Sequence, residues 1–183
     1  MTESDLSTEI KTGTLGGIYF FWGDEDYMKN HRMIEVRRAV VEEGSEAFNS
    51  FSFVFGEGEC DLSALEDAFA APPMMSEKKF VAVFFSSLDS LKEKQKTALL
   101  DLLTEYSGDP CTVAVISSNS EGFDAGTEKK PSAFLSSVGK IAKAVEFPYQ
   151  SEAKLIRWME RHFSGYGLTV DTQTARSIIE ICG

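Results

Sequence analysis

The sequence is short of the residues on which most site chemistry depends. Its three cysteines, Cys60, Cys111 and Cys182, are far apart and form no Cys-x-x-Cys pair. Neither a zinc site nor a disulfide framework is indicated. Its two histidines, His31 and His162, lie within helical patterns and have no Cys or Ser partner at an informative spacing. No Gly-x-Ser-x-Gly elbow or His-Glu-x-x-His motif occurs, so nucleophilic and metal-dependent hydrolysis have no support. Positive charge is scarce: 18 Lys and Arg stand against 29 Asp and Glu, for a net charge of −11. With no basic run, the chain alone is repelled by phosphate backbones, which disfavours direct nucleic-acid binding. No apolar run approaches the length of a membrane span. The polar opening, with Glu3, Asp5 and Glu9, lacks the apolar core of a signal peptide. The cytoplasm is the compartment these features fit.

What the chain does contain is enough apolar material for a packed core: 43% hydrophobic residues and 14 phenylalanines in 183 residues. Five strand candidates are read at Gly17–Trp22, Ser50–Phe55, Phe80–Ser86, Thr112–Ser117 and Ile141–Phe147. The middle three are nearly continuous apolar runs, as expected for a sheet covered on both faces. Helical patterns separate them, which predicts an α/β fold with a mostly parallel sheet. Asp24 is expected to cap a helix running to about Glu43, ended by Gly44. Asp61 opens a second helix, stopped by Pro72-Pro73. Asp89 opens a third, with Leu91, Ala98, Leu99, Leu102, Leu103 and Tyr106 on its apolar stripe. After Pro148, Ser151 and Asp171 each open a further amphipathic helix, the last carrying Ala175, Ile178, Ile179 and Cys182. The predicted organisation is a flexible tail over 1–15, an α/β domain over 16–148, and the beginning of a helical domain over 149–183. Two amphipathic helices cannot bury both faces alone, so the chain is expected to end inside that second domain.

The most informative stretch is Gly16-Gly17-Ile18-Tyr19-Phe20-Phe21-Trp22-Gly23-Asp24-Glu25-Asp26-Tyr27: a buried strand, a glycine turn and a helix start. In nucleotide-binding α/β proteins a phosphate-cradling loop stands here, and it needs Gly-Lys followed by Ser or Thr. This turn holds three carboxylates instead. Helix capping by Asp24, Glu25 and Asp26 is the plain reading. A Mg²⁺-dependent receiver-like or other α/β signalling domain is the alternative. A receiver also needs an Asp ending the third strand and a Lys beside the proline after the fifth, where Ser86-Ser87 and Phe147-Pro148 stand. The glycine-containing stretches Gly13–Gly17 and Gly122–Gly126 read as ordinary turns. Asp124 and Lys129 have no evident catalytic task, and Trp22 and Trp158 read as packing residues.

The loop Pro72-Pro73-Met74-Met75-Ser76-Glu77-Lys78-Lys79 joins the second helix to the third strand. Its methionines either tuck into the core beneath the loop or form an exposed apolar wedge. Methionine is adaptable at protein-binding surfaces, and a loop stiffened by two prolines lowers the ordering cost of binding.

Several segments together resemble the delta subunit of the bacterial DNA polymerase III clamp loader. Ile18-Tyr19-Phe20-Phe21-Trp22-Gly23-Asp24-Glu25-Asp26-Tyr27-Met28 is similar to that family's opening strand, Gly-Asp-Glu and x-Tyr-Leu signature. Ala71–Lys79 and the strand Phe80-Val81-Ala82-Val83 are similar to its Pro-x-Phe-Ser-Glu-Arg-Arg segment and valine-rich strand. Val145-Glu146-Phe147, Leu155-Ile156-Arg157-Trp158-Met159 and Gly167-Leu168-Thr169-Val170 resemble its later motifs. The resemblance runs from about Ile18 to the C-terminus. It implies an AAA+-like P-loop NTPase-type parallel sheet flanked by helices, lacking a functional Walker A lysine and followed by the start of a helical lid. It also implies a clamp-loader subunit without intrinsic catalysis, cofactor or metal. Such a subunit is a component of the DNA polymerase III holoenzyme. It binds the sliding clamp (beta subunit) and helps open it during replication. The further partners implied are the ATPase and delta-prime subunits, with DNA reached through the assembled complex and no membrane. By position, the clamp-binding residues would be Pro72, Pro73, Met74 and Met75, with two methionines where the family has a Leu-Phe pair.

Overall fold

The computed structural model describes residues 1–182, and Gly183 and the side chain of Cys182 lie outside the described residues. The chain forms two compact units, Met1–Phe147 and Pro148–Gly183.

The first unit is built on β1 (Gly17–Trp22), β2 (Ser50–Phe55), β3 (Lys79–Phe85) and β4 (Thr112–Ser118), with a small hairpin of β5 (Gly126–Thr127) and β6 (Lys130–Pro131), and then β7 (Lys143–Glu146). Five of these make one sheet in the order β2-β3-β4-β1-β7. Every pairing in it is parallel. The helices of this unit are α1 (Glu3–Thr12), α2 (Asp26–Val40), α3 (Glu46–Asn49), α4 (Ser63–Ala70), α5 (Glu93–Tyr106) and α6 (Ala133–Val138).

Strand alternation explains the layers. Ile18 and Phe20 of β1 point to one face, where they join Val81, Val83, Ala114 and Ile116 under Leu65 and Phe69 of α4, Leu99 and Leu103 of α5, and Phe134 and Val138 of α6. Tyr19 and Phe21 point to the other, with Phe80, Ala82, Val113 and Val115 under Leu6 of α1 and Val36 and Val40 of α2. A strand buried on both faces has no polar side to alternate, which is why β3 and β4 read as apolar runs. The expected α/β class and parallel sheet are what the structure has. The short α3, α6 and the β5–β6 hairpin are additions that the sequence pattern did not separate from loops.

Several boundaries move. Residues 1–15, expected as a flexible tail, instead supply α1. Its Thr2–Asp5 capping box is closed from both sides, and Leu6 and Leu15 are buried. Its polarity misled because only one narrow stripe meets the sheet. The α2 helix ends at Val40 rather than Glu43, with Val41 already extended. The α5 helix begins at Glu93, four residues after Asp89. The Asp89 carboxylate instead accepts the Asp124 N–H at 2.6 Å. Ala98, placed on the α5 stripe, is exposed.

The second unit holds α7 (Glu152–Gly165) and α8 (Thr172–Cys182). Ile156, Met159 and Ala175 form its small core, with Trp158, Phe163 and Val170 packed around them. Asp171 accepts the Thr174 N–H at 2.9 Å at the start of α8. Hydrogen bonds from Thr174 hold its carboxyl below the usual carboxylate range.

Candidate functional site

Two places were open from the sequence, and the parallel sheet separates them. The turn after β1 lies at the C-terminal ends of the strands, where α/β sheets usually bind ligands. The Pro72–Lys78 loop enters β3 at the opposite end. A strand of six residues puts about 20 Å between the two ends.

At the first place the protein satisfies its own groups. Gly23 has φ +107°, and a Cβ there would fall 2.5 Å from the Phe147 carbonyl oxygen. That carbonyl accepts the Glu25 N–H at 3.0 Å, and Phe147 N–H donates to the Trp22 carbonyl at 2.8 Å. A backbone donor of the turn is therefore aimed at protein rather than outward. The Lys29 side chain, only 3% exposed, reaches Asp26 Oδ1 at 2.7 Å. Its Nζ also donates to the carbonyls of Gly23 and Ser118, each at 2.7 Å. Asp26 accepts the Ser120 N–H and the Ser120 hydroxyl, each at 3.0 Å. The turn after β1, the first turn of α2 and the turn after β4 are thus tied by an internal ion pair.

This corrects the capping assignment. The N-cap position is Glu25, whose side chain makes no capping bond. Asp24 is exposed, and Asp26 braces a neighbouring turn instead of capping. Among the described residues no group of three or more His, Cys, Asp or Glu is arranged to hold a metal ion. Lys29 was missed in the sequence; its i,i+3 spacing from Asp26 was the available signal. His31 stacks on Tyr27 and His162 on Trp158. Asp124 accepts the Gly126 N–H at 2.7 Å within a turn.

At the second place the backbone is fixed and the side chains are offered. Helix α4 ends at Ala70, and Pro72 and Pro73 cannot continue it. Lys79, 1% exposed, donates its ammonium to the carbonyls of Ala68, Phe69 and Ala71. It thereby satisfies carbonyls that a helix C-terminus leaves open. Burial pushes its pKa down, against the opposing pull of Asp109 and Cys111. Lys78 Nζ donates to the Leu15 carbonyl at 2.6 Å. Between these anchors, Asn49 Nδ2 donates to the Met74 carbonyl at 2.9 Å. Its Oδ1 accepts the Met74 N–H at 2.7 Å.

The methionines do not tuck under the loop: Met74 is 53% exposed and Met75 99%. Met75 has φ +54°, the one positive value among non-glycine residues described. Phe48, beside Asn49 on α3, is also exposed. Pro72 faces solvent and Pro73 is half-buried. Asn49, Lys79 and Phe48 were not singled out in the sequence. Their roles come from partners distant in the chain, and only the buried lysine after a Pro-Pro stop gave any local hint.

The chain is similar in fold to the Bacillus subtilis DNA clamp loader delta protein, with a TM-score of 0.65 at 19% identity over 96% of this chain and 51% of that one. It is also similar to a gamma subunit-related protein of DNA polymerase III from Thermotoga maritima, with a TM-score of 0.56 at 15% identity over 94% of this chain and 56% of that one. The chain thus spans about half the length of these structures. They share its fold of a parallel sheet flanked by helices. No curated protein sequence matches it. The sequence profile described as DNA polymerase III, delta subunit, matches residues 19–129. That stretch runs from β1 through β4 to the β5–β6 hairpin, and so includes both the self-bonded turn and the Pro72–Lys78 loop. On this match the chain belongs to the DNA polymerase III delta subunit family.

Proposed function

We propose that the chain acts as a clamp-loader subunit that binds the sliding clamp through Pro72, Pro73, Met74 and Met75. The observation that carries this reading is the state of Met75: a large apolar side chain, 99% exposed, on a left-handed backbone, in a loop anchored on both sides. Folding alone gives no reason for such a residue, whereas insertion into an apolar pocket of a partner does. Burying Met75 contributes about 1.5–3 kcal/mol, and burying the exposed part of Met74 about half that. The fixed loop keeps most of that gain by removing ordering cost.

Clamp opening then requires no bond chemistry from this chain. A surface that binds the opened clamp better than the closed one shifts the clamp toward opening. ATP hydrolysis belongs to partner subunits in this reading, and DNA is reached through the assembled loader. The Pro148–Gly183 unit is read as belonging to the family's helical lid. The Mg²⁺-dependent alternative gains no comparable support, because Asp26 is already paired with Lys29 and bonded by Ser120. The test is capture of the cognate sliding clamp by the chain and by its Met74→Ser/Met75→Ser variant. The wild type should retain the clamp and the variant lose it with its circular dichroism unchanged. Equal retention by both removes the site from the loop.

A further inference from the structure

Asn49 is an uncharged polar side chain with no exposed surface, and the bonds it makes run to a single residue of the loop. Its amide meets both backbone groups of Met74, donating at 2.9 Å and accepting at 2.7 Å. The two residues are 25 positions apart, so this is a tertiary clamp and not a local turn. Only one orientation of the amide satisfies both bonds. The side chain imitates a neighbouring strand: it pairs the N–H and the carbonyl of one residue and fixes that peptide in space.

The next residue is Met75, at φ +54°. An L-residue leaves that region readily unless its neighbours hold it there. Lys79 secures the loop on the α4 side and Lys78 secures it near β1, but both lie outside the two methionines. Asn49 is the contact that reaches Met74 itself. Asp at this position would lose the donor and set a carboxylate against a carbonyl. Ala would be too short, and Leu would leave both Met74 groups without partners.

We propose that Asn49 is the positioning residue of the methionine loop, holding Met74 so that Met75 is presented in one pre-organised conformation. The inference rests on the clamp-binding reading above, and its experiment separates the two. Affinity for the cognate sliding clamp is measured by surface plasmon resonance for the wild type, Asn49→Ala, Asn49→Asp, Met74→Ser/Met75→Ser, and each Asn49 change combined with the double Met change. Amide exchange at Met74 is followed in each free protein. Asn49→Ala should weaken clamp binding about tenfold, yet change what remains in the Met-substituted background by less than about twofold, because the two act through one element. Met74 exchange should rise by about a hundredfold while amides in the centre of β3 stay protected. Asn49→Asp, close in shape, gives the same pattern if the Ala variant folds poorly.

Equal losses in both backgrounds would mean a general structural role and overturn the proposal. So would unchanged Met74 exchange. Loss of binding on changing the methionines but not Asn49 removes this inference and leaves the clamp-binding reading intact. Full binding by the Met-substituted protein removes that reading, and the positioning role with it.

Discussion

Met75 stands where folding alone would not keep a methionine. The left-handed region costs a non-glycine residue about 1–2 kcal/mol, and a side chain 99% exposed gains no burial to offset it. Glycine would remove the cost, at some loss through a more flexible unfolded chain. Met75→Gly is therefore expected to leave unfolding stability within about 1 kcal/mol of the wild type, or to raise it, while clamp affinity falls. Urea denaturation and clamp titration on the same preparation check both halves. Two prolines and a following strand marked the loop in the sequence, but its pattern left open whether the methionines tuck into the core or stand exposed; the structure exposes them. Asn49 was not, because an asparagine ending a four-residue helix looks like any other until the fold brings Met74 to it. Asp26 was legible as a helix-start acid but not as the partner of Ser120, 94 residues away.

Among the elements, α1 departs most from expectation. Its sequence is polar, yet Leu6 is wholly buried against the sheet. Glu9 accepts the Tyr19 hydroxyl at 2.5 Å and pairs with Lys143 at 2.9 Å, which ties the helix to β1 and β7. Leu6→Ala should cost about 2–4 kcal/mol in urea denaturation, where a loose tail would show almost no effect. The same cluster sets a pH limit. Burial, and then the Glu9 bond, raises the Tyr19 phenol above its usual value. For Lys143, burial opposes protonation, but bonds to Glu9 and Tyr19 outweigh it and raise the pKa. Both groups hold their protons more tightly in the folded state. Their contribution is complete below the ordinary values and is lost as pH rises through the raised ones, above about pH 10. The contribution of this cluster to the urea midpoint should hold from about pH 8 to about pH 9.5 and be lost from about pH 10 upward, and Glu9→Gln should shrink that loss. Strands β1, β3 and β4 were legible to within a residue, since burial on both faces writes an apolar run. Strand β2, expected to be covered on both faces, is instead an edge strand with Val54 exposed, and the expected Ile141–Phe147 shortens to β7.

On the scale of the whole molecule, the usual ligand position of such a sheet is filled by the protein's own groups. The β2-β3-β4-β1-β7 sheet presents the usual ligand position at the C-terminal end of β1, and there Lys29 bonds Asp26 and the Gly23 carbonyl, while the Phe147 backbone bonds Trp22 and Glu25. The sequence showed half of this, the missing Gly-Lys-Thr. The other half, a lysine turned inward to three oxygens, needed the fold. The exposed apolar loop stands at the opposite end of the sheet, before β3. We propose that partner binding belongs to that end. Hydrogen exchange of the chain with and without the cognate sliding clamp tests it most directly. Added protection is expected at the amides of Met75, Ser76, Glu77 and Lys78, with Gly23–Tyr27 unchanged. Protection at Gly23–Tyr27 with the loop unaffected would contradict it.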